Sequence, residues 1–317
     1  MSEKKIRILF HDSRGLHQDA ERIMSSVRDF IFEHHFYPET SLAKDEFHPL
    51  SKVKIQIFLE HVHPKALQYG EINIFVPNLE WCNGRDYGLL LQRPDIKIMA
   101  KTKSAFDTLR SAFGERVAYI PWCSVDMFDT TIQRTDDWLH VKGVSRLKQS
   151  QVLLDTWLRH PEWPTLHIVS NGNSDRNGFL EIPVPAQIAN NIILHQRTLS
   201  RGELKALMNM CSYHVCPSLV EGFGHYIHEG MSTGATVITT NGCPMNELVH
   251  TPWCLIPSNK SIPIHLGKGF YVDKKGIDGC VNNVVQNDLK DYSTRSAWED
   301  RLQAFERNIN EYLLSIL

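Results

Sequence analysis

Short apolar runs alternate with longer amphipathic stretches along the chain, and this alternation predicts strands that alternate with helices. The apolar runs are rich in β-branched residues and are bounded by turn-forming residues, as buried strands are. The predicted strands cover 6–10, 53–59, 72–76, 96–100, 117–120, 138–141, 166–170, 192–194, 213–216 and 235–240. Strands that alternate with helices in this way are typical of parallel sheets with helices on both faces.

The amphipathic stretches between these runs predict helices. Ile23, Val27, Phe30 and Ile31 lie on one face of a predicted helix over 17–34. Ser200 and Glu203 form a helix-capping pair before a further helix. The other predicted helices begin at about 101, 150 and 225 and cover 277–285 and 296–314, the last with an apolar stripe that includes Trp298 and Phe305.

One strand–loop–helix–strand stretch, 216–249, carries the densest candidate chemistry. A loop with two glycines, 221–224, leads into a helix over 225–233, which Gly234 closes. The amides at the start of this helix are donors at the positive end of the helix dipole, so they predict a phosphate site. Glu221 and Glu229 bracket that site, and carboxylates there fit the hydroxyls of a ribose or a hexose. A capped surface helix with a solvated glutamate is the alternative.

Composition narrows the class of protein. A net charge of -2 on 317 residues does not favour binding of nucleic acid or of an anionic membrane. Seven dispersed cysteines indicate reduced thiols. The N-terminus lacks the apolar run of a signal peptide, and no run is long enough to span a bilayer. We therefore expect a cytoplasmic protein with no transmembrane segment.

Further candidates follow other predicted strands. Asn78, Glu80 and Trp81 follow the strand over 72–76 and suggest a sugar platform, with a core tryptophan as the alternative. Gly15 lies in a turn after the first strand, where it either approaches a ligand or serves only the turn. His61 and His63 have a spacing that suits zinc, but no third ligand is apparent.

Three cations lie near Gly143, at the start of the next predicted helix. Lys142, Arg146 and Lys148 either bind phosphate or belong to a solvated helix start.

The stretch 216–249 resembles the nucleotide-sugar loop of the retaining glycosyltransferases of family four, which have the GT-B fold. The resemblance rests on an ordered set of residues: Pro217-Ser218, Glu221-Gly222-Phe223-Gly224, Glu229, Ser232-Thr233-Gly234 and Pro244-Met245-Asn246-Glu247. It implies a GT-B-like α/β fold with two doubly wound Rossmann-like domains that face each other across a cleft. We place the acceptor-side domain at 1–136, the nucleotide-sugar domain at 137–295, and a terminal helix, 296–317, that packs back on the first domain.

The resemblance also implies roles for individual residues. Glu221 would bind the transferred sugar, and Lys148 with Arg146 or Lys142 would neutralise the leaving diphosphate. The implied donor-binding residues are Glu229, Gly222, Phe223, Gly224, His225, Tyr226, Arg197, Thr198, Leu199 and Gly15, and the implied acceptor-side residues are Asn78, Glu80 and Trp81. The chain departs from the family pattern at Val144, where an arginine is usual, and at Cys123, where a glycine is usual. A histidine expected at a strand end of the first domain is also missing, and His61 or His63 is a substitute.

The implied function is the transfer of a sugar, with retention of configuration, from a UDP- or GDP-sugar to a hydroxyl of a glycan or another acceptor. No cofactor beyond the donor and no metal is expected. The alternatives are an inactive subunit that binds a sugar nucleotide, and a phosphorylase or an epimerase of the same fold. Nucleic acid is not an expected partner.

Overall fold

The computed structural model describes residues 5–28, 30–37, 49–143, 145–170 and 189–317. The chain divides into two compact units. The first comprises Met1–Ser124, Pro263–Gly267 and Asp300–Leu317, and the second comprises Val125–Ile262 and Lys268–Glu299. A compact unit is not by itself an independently folding domain, so the domain boundaries given above stay predictions.

The first unit is built on a parallel sheet. Its strands are β1 Lys5–His11, β2 Ile31–Tyr37, β3 Val53–Leu59, β4 Gly70–Val76, β5 Lys97–Ala100 and β6 Val117–Tyr119. Over the described residues their order is β2-β1-β3-β4-β5-β6, and every pairing is parallel. The chain leaves β1 toward β2 and then continues on the other side of β1 with β3, so the strand order reverses between β1 and β3.

Helices α1 Arg14–Ser26, α2 Gly84–Gln92 and α3 Lys103–Phe113 belong to this unit. Each begins at a side chain that accepts a hydrogen bond from the first turn: Ser13, Asn83 and Thr102. Such caps satisfy amides that have no partner within the helix. In the core, apolar side chains of β3, β4 and β5, including Phe58, Phe75 and Ile98, pack with Leu109 of α3.

The helix predicted over 17–34 is wrong in its second half. Helix α1 ends at Ser26, and Val27 has extended backbone angles. The residues from Ile31 to Tyr37 form β2, which pairs with all of β1. Hydrogen bonding to a buried strand outweighs the helical spacing of the apolar residues there, because β-branched and aromatic side chains suit both structures.

The second unit has its own parallel sheet. Its strands are β7 Thr135–Gly143, β8 Leu166–Ser170, β9 Ile192–His195, β10 Cys211–Cys216, β11 Thr236–Thr240 and β12 Leu255–Ile256. In the described part of the unit their order is β12-β11-β10-β7-β8-β9, and all neighbours are parallel. The strand order reverses between β7 and β10. Two further strands, β13 Lys260–Ile264 and β14 Gly267–Tyr271, form a separate pair.

Its helices pack on this sheet around buried tryptophans. They are α4 Ser150–Trp157, α5 Arg201–Met210, α6 His225–Ser232 and α7 Lys274–Gln286. The first residues of α8 Thr294–Ser315, up to Glu299, also belong to this unit. Trp138, Trp157 and Trp163 lie in the main core. The Ser200–Glu203 capping box is confirmed. The predicted apolar stripe of α8 is buried at Trp298, Phe305, Ile309 and Leu313, and the residues from Asp300 onward belong to the first unit.

The predicted fold class is confirmed, because both units are α/β structures of the Rossmann-like type with parallel sheets. In such sheets ligands bind outside the carboxyl ends of the strands, at the point where the strand order reverses. Each unit therefore has one position at which a site is expected.

Candidate active site

In the second unit, the loops after β7 and β10 flank the reversal of strand order. They are joined by a backbone hydrogen bond of 2.7 Å from the amide of Leu219 to the carbonyl of Leu147. The loop after β10 carries Glu221, and the loop after β7 carries Lys148. Two candidates that lie 73 residues apart in the sequence thus meet at the position where the fold places a ligand.

The glycine loop leads directly into α6, as predicted. Gly224 precedes the helix with φ +101, a conformation that favours glycine. A Cβ at this position would lie 3.1 Å from Cδ1 of Ile227, so a larger residue would also be crowded. At the other end, Gly234 has φ +75, as expected of a left-handed cap. The first amides of α6 therefore point out of the helix start.

Lys148 and Glu221 form an ion pair at this helix start. Both side chains are nearly buried, with 13% and 14% of their surface exposed. The Lys148 ammonium also lies over the ring of Tyr226, 3.5 Å from its centre. Ser218 donates a hydrogen bond to Glu221, and the Tyr226 hydroxyl lies 2.6 Å from Ser218 Oγ. The two candidates are therefore members of one hydrogen-bonded group.

Gln149 fixes the two loops further, a role that sequence reasoning missed. Its side-chain amide donates to the carbonyls of Pro217 and Phe270, and its carbonyl accepts from the amide of Val272. Its backbone is left-handed, with φ 48. No sequence signal marks this role, since glutamine has no special preference for that conformation.

Glu229 lies inside α6, with only 5% of its surface exposed. The alternative of a solvated glutamate is therefore wrong for this residue. Phe223, in the glycine loop, is buried too, and its ring packs edge-on against His225 and His228. Its burial in α6 distinguishes Glu229 from an ordinary solvated surface residue.

The two alternative cations differ in environment. Lys142 is buried on β7, with 5% exposure, whereas Arg146 is exposed on the short 3-10 helix that also contains Lys148. Val144, at the family's arginine position, lies outside the described residues. Lys142 is therefore shielded from solvent, whereas Arg146 is open to it.

The candidates for reading the base lie after β9. Arg197 and Thr198 are exposed, and Leu199 is half-buried against a small apolar cluster. The Arg197 guanidinium donates to Glu203, a residue of the capping box, at 2.6 Å. The segment is thus anchored to the start of α5.

Gly15 is not in a turn. It lies in the first turn of α1, and no atom lies within 4 Å of a Cβ built there. Its φ is not positive, so neither conformation nor space requires glycine. The predicted turn over 11–15 ends two residues earlier, because Ser13 caps the helix.

Burial controls the titration of two groups near the site. Burial, with smaller contributions from Lys148 and Lys142, lowers the pKa of His140 to about 4. The neutral ring contacts the carbonyl of Val215 and the hydroxyl of Ser150. Burial also raises the pKa of Tyr226 well above its usual value, so its phenol stays protonated beside Lys148.

The predicted acceptor-side residues lie in the first unit, after β4. Trp81 has 47% of its surface exposed, so the alternative of a core tryptophan is wrong. Glu80 is buried, and Asn78 donates to Glu60 at 2.6 Å. His61 contacts the buried carboxylate of Asp86 at 2.7 Å.

Within the described ranges, no group of three or more histidine, cysteine or acidic side chains is placed to hold a metal.

Residues 138–263 match the family model described as glycosyl transferases group 1. This stretch is similar to a group 1 glycosyltransferase domain. The matched stretch includes β7 from Trp138 onward, the glycine loop, α6 and both members of the Lys148–Glu221 pair. A comparison with curated proteins finds no match.

Solved glycosyltransferase structures share the fold over nearly the whole chain. A glycosyltransferase from Rickettsia africae is 14% identical over 100% of this chain and 98% of its own, with a TM-score of 0.63. The Anabaena protein HepE, solved with UDP and glucose, is 13% identical over 99% and 100%, with a TM-score of 0.65. A sucrose-phosphate synthase from Thermosynechococcus elongatus is 11% identical over 99% of each chain, with a TM-score of 0.66.

At these identities the likeness shows a fold of the GT-B type. Together with the group 1 domain it supports the assignment of the protein as a glycosyltransferase. None of the described helices is both long and apolar enough to cross a membrane.

Proposed function

We propose that the protein transfers a sugar from a nucleotide diphosphate sugar to a hydroxyl acceptor, with retention of configuration. The observation that carries this proposal is the Lys148–Glu221 pair beside the start of α6, at the reversal of strand order in the second sheet. A cation and a helix start suit a diphosphate, and a neighbouring carboxylate suits sugar hydroxyls.

The donor would lie along the glycine loop. Glu229 binds the ribose, Glu221 the transferred sugar, and the amides from Gly222 to Tyr226 bind the sugar and the diphosphate. The segment from Arg197 to Leu199 faces the base. Gly15 is assigned to the donor side because of its position in the chain alone. The space around it does not require a glycine.

Catalysis in this proposal is mainly positioning and electrostatic stabilisation of the departing diphosphate. Lys148 supplies the charge closest to the loop, and Arg146 or Lys142 supplies a second. Asn78, Glu80 and Trp81 belong to the acceptor side. Protein cations replace a divalent metal, so the donor is the only cofactor.

Calorimetric titration with UDP and GDP tests the donor site directly. UDP is the first choice, because HepE was solved with UDP and glucose. We expect one of the two nucleotides to bind at one site per chain, and Glu162→Gln, which changes an exposed glutamate of the same unit, to bind equally well. The proposal fails if neither nucleotide binds.

Incubation with UDP- and GDP-sugars then separates an enzyme from an inactive binding subunit. We expect slow release of free sugar without an acceptor, and NMR of a transfer product to show the anomeric configuration of the donor. Binding without any cleavage would favour the inactive subunit, and a product of inverted configuration would contradict retention. Cleavage that depends on inorganic phosphate would favour a phosphorylase.

A further inference from the structure

The reversal of strand order in the first sheet has its own polar cluster. His11 ends β1, Glu60 and His61 follow β3, Asn78 follows β4, and Asp86 lies in the first turn of α2. We call these five residues the β1–β3 cluster. It lies at the carboxyl ends of the strands, which is where open parallel sheets bind ligands.

Glu60 is the centre of the β1–β3 cluster. One carboxylate oxygen accepts a hydrogen bond of 2.6 Å from the Asn78 amide. The other lies 3.4 Å from Nε2 of His11 and 4.0 Å from Nε2 of His61. The carboxylate therefore joins three strand ends in one group.

The backbone at Glu60 is held in a conformation that non-glycine residues rarely adopt, with φ 68. The turn is closed by a hydrogen bond of 2.8 Å from the amide of His61 to the carbonyl of Leu59, and the amide of Glu60 bonds to Val76. Such strain persists where the surrounding structure enforces it and is frequent at binding sites. Here it turns the glutamate to the end of the sheet.

Two atoms of the cluster have unmet hydrogen-bonding capacity. Among the described residues, Nδ1 of His11 and Oδ1 of Asn78 are buried without a hydrogen-bond partner. Nε2 of His11 lies 3.4 Å from the Glu60 carboxylate, and a ring that carries its proton on Nε2 presents Nδ1 as an acceptor. Oδ1 of Asn78 is also an acceptor. Buried polar atoms without partners are rare in proteins and call for an explanation.

The cluster thus offers acceptors: a carboxylate, an amide oxygen and a ring nitrogen. They need a ligand that donates several hydrogen bonds. The Glu60 carboxylate would repel a phosphate or another anion, whereas the carboxylate of the fully buried Asp86 is paired with His61 and Arg85. Glu60 and His11 retain 11% and 13% of their side-chain surface exposed, so a ligand can reach them.

We propose that the β1–β3 cluster binds neutral hydroxyl groups of the acceptor, which makes the acceptor a polyhydroxylated, uncharged sugar or polyol at this position. The inference rests on the proposed function, because a glycosyl acceptor supplies the hydroxyls. It assigns recognition of the acceptor to Glu60, His11 and Asn78. Trp81, three residues after Asn78, is exposed and offers an apolar surface next in the chain to these residues.

The test follows the histidine ring signals of the full-length protein by NMR, with and without UDP. The neutral probes are methyl α- and β-glucopyranoside, methyl α-mannopyranoside and myo-inositol, and the charged probes are glucose 6-phosphate and glucosamine. We expect at least one neutral probe to shift the His11 signal saturably, and glucose 6-phosphate to bind at least tenfold more weakly. The His11→Gln variant assigns the signal.

Glu60→Gln keeps the size of the side chain and removes its charge, and we expect it to weaken binding of the neutral probe at least tenfold. Glu71→Gln, an exposed glutamate of the same unit paired with Lys54, is the matched control and should bind normally. If Glu60→Gln does not fold, Asn78→Asp tests the same point, since it replaces a donor to Glu60 with a like charge.

The inference is overturned if no neutral probe moves the signal, if an anionic or cationic probe binds most tightly, or if Glu60→Gln binds like the wild type. The proposed donor site is tested separately, because that proposal fails if the protein binds neither UDP nor GDP. A protein that binds UDP but none of the neutral probes contradicts this inference alone.

Discussion

Lys148 and Glu221 form an ion pair, although the proposed reaction assigns them to different parts of the donor. Lys148 is assigned to the diphosphate and Glu221 to the sugar. The lysine ammonium is also held over the Tyr226 ring. Binding of a diphosphate would therefore place a second anion beside Lys148, in competition with Glu221.

Glu221→Gln should consequently tighten binding of the nucleotide diphosphate while it lowers kcat. The neutral amide no longer competes for Lys148, and an ion pair of about 1 kcal/mol corresponds to a gain of up to roughly fivefold in affinity. Calorimetry with UDP or GDP measures the affinity, and donor cleavage measures kcat. Lys148→Met should weaken the same binding. Weaker binding of the nucleotide by Glu221→Gln would contradict the competition between Glu221 and the diphosphate for Lys148.

Glu229→Gln should weaken nucleotide binding about ten- to a hundredfold. A charge-assisted hydrogen bond is worth ~1.5–3 kcal/mol, and the ribose contact is the same in ground state and transition state. The effect should therefore appear mainly in KM. Glu162→Gln is the control, because Glu162 is exposed and forms an ion pair with His160. Wild-type affinity in Glu229→Gln would refute the assignment to the ribose.

Gly224→Ala should lower the stability of the protein by about 1–2 kcal/mol, because an L-residue is strained at φ +101. Its Cβ would also crowd Ile227. Gly202→Ala, in the first turn of α5, has open space and should be neutral or slightly stabilising. Thermal unfolding compares the two variants. Equal melting temperatures would show that the loop relaxes around the methyl group.

Stability should decline as the pH falls from about 6.5 to about 4. Burial lowers the pKa of both His140 and His214 from 6.5 to about 4 in the folded protein. Between these values the unfolded chain binds more protons, so acid favours unfolding by up to about 1.4 kcal/mol per pH unit for each histidine. The stability is fully present above 6.5, and the loss levels off below 4.

Urea unfolding at several pH values measures this slope, and His214→Gln should reduce it. The variant is less stable at neutral pH, because it loses the contact of 2.9 Å to the Met208 carbonyl. An unchanged slope in the variant would exclude His214 as a source of the acid sensitivity.

Donor cleavage should survive exhaustive chelation. In the described part of the chain no side-chain group is arranged for a metal, and Lys148 lies at the helix start instead. Activity is measured before and after treatment with a chelator. If chelation abolishes the activity and Mn²⁺ or Mg²⁺ restores it, a metal ion binds the diphosphate.

Local signals in the sequence determined much of the second unit. The glycines around α6 and the Ser200–Glu203 capping box follow from contacts between near neighbours in the chain. The same signals failed over 31–34, where apolar residues with helical spacing form β2. Pairing with β1 decided that segment, because the hydrogen bonds of a parallel strand come from residues far away in sequence.

Only the tertiary structure decided which candidates meet. Lys148 pairs with Glu221 because β7 and β10 are neighbours in the sheet, and no local pattern encodes that order. Likewise His11 reaches Glu60 because β1 lies beside β3. The sequence therefore determined which residue types stand at the strand ends. The order of the strands determined which of them share a site, because a parallel sheet brings together carboxyl ends that lie dozens of residues apart.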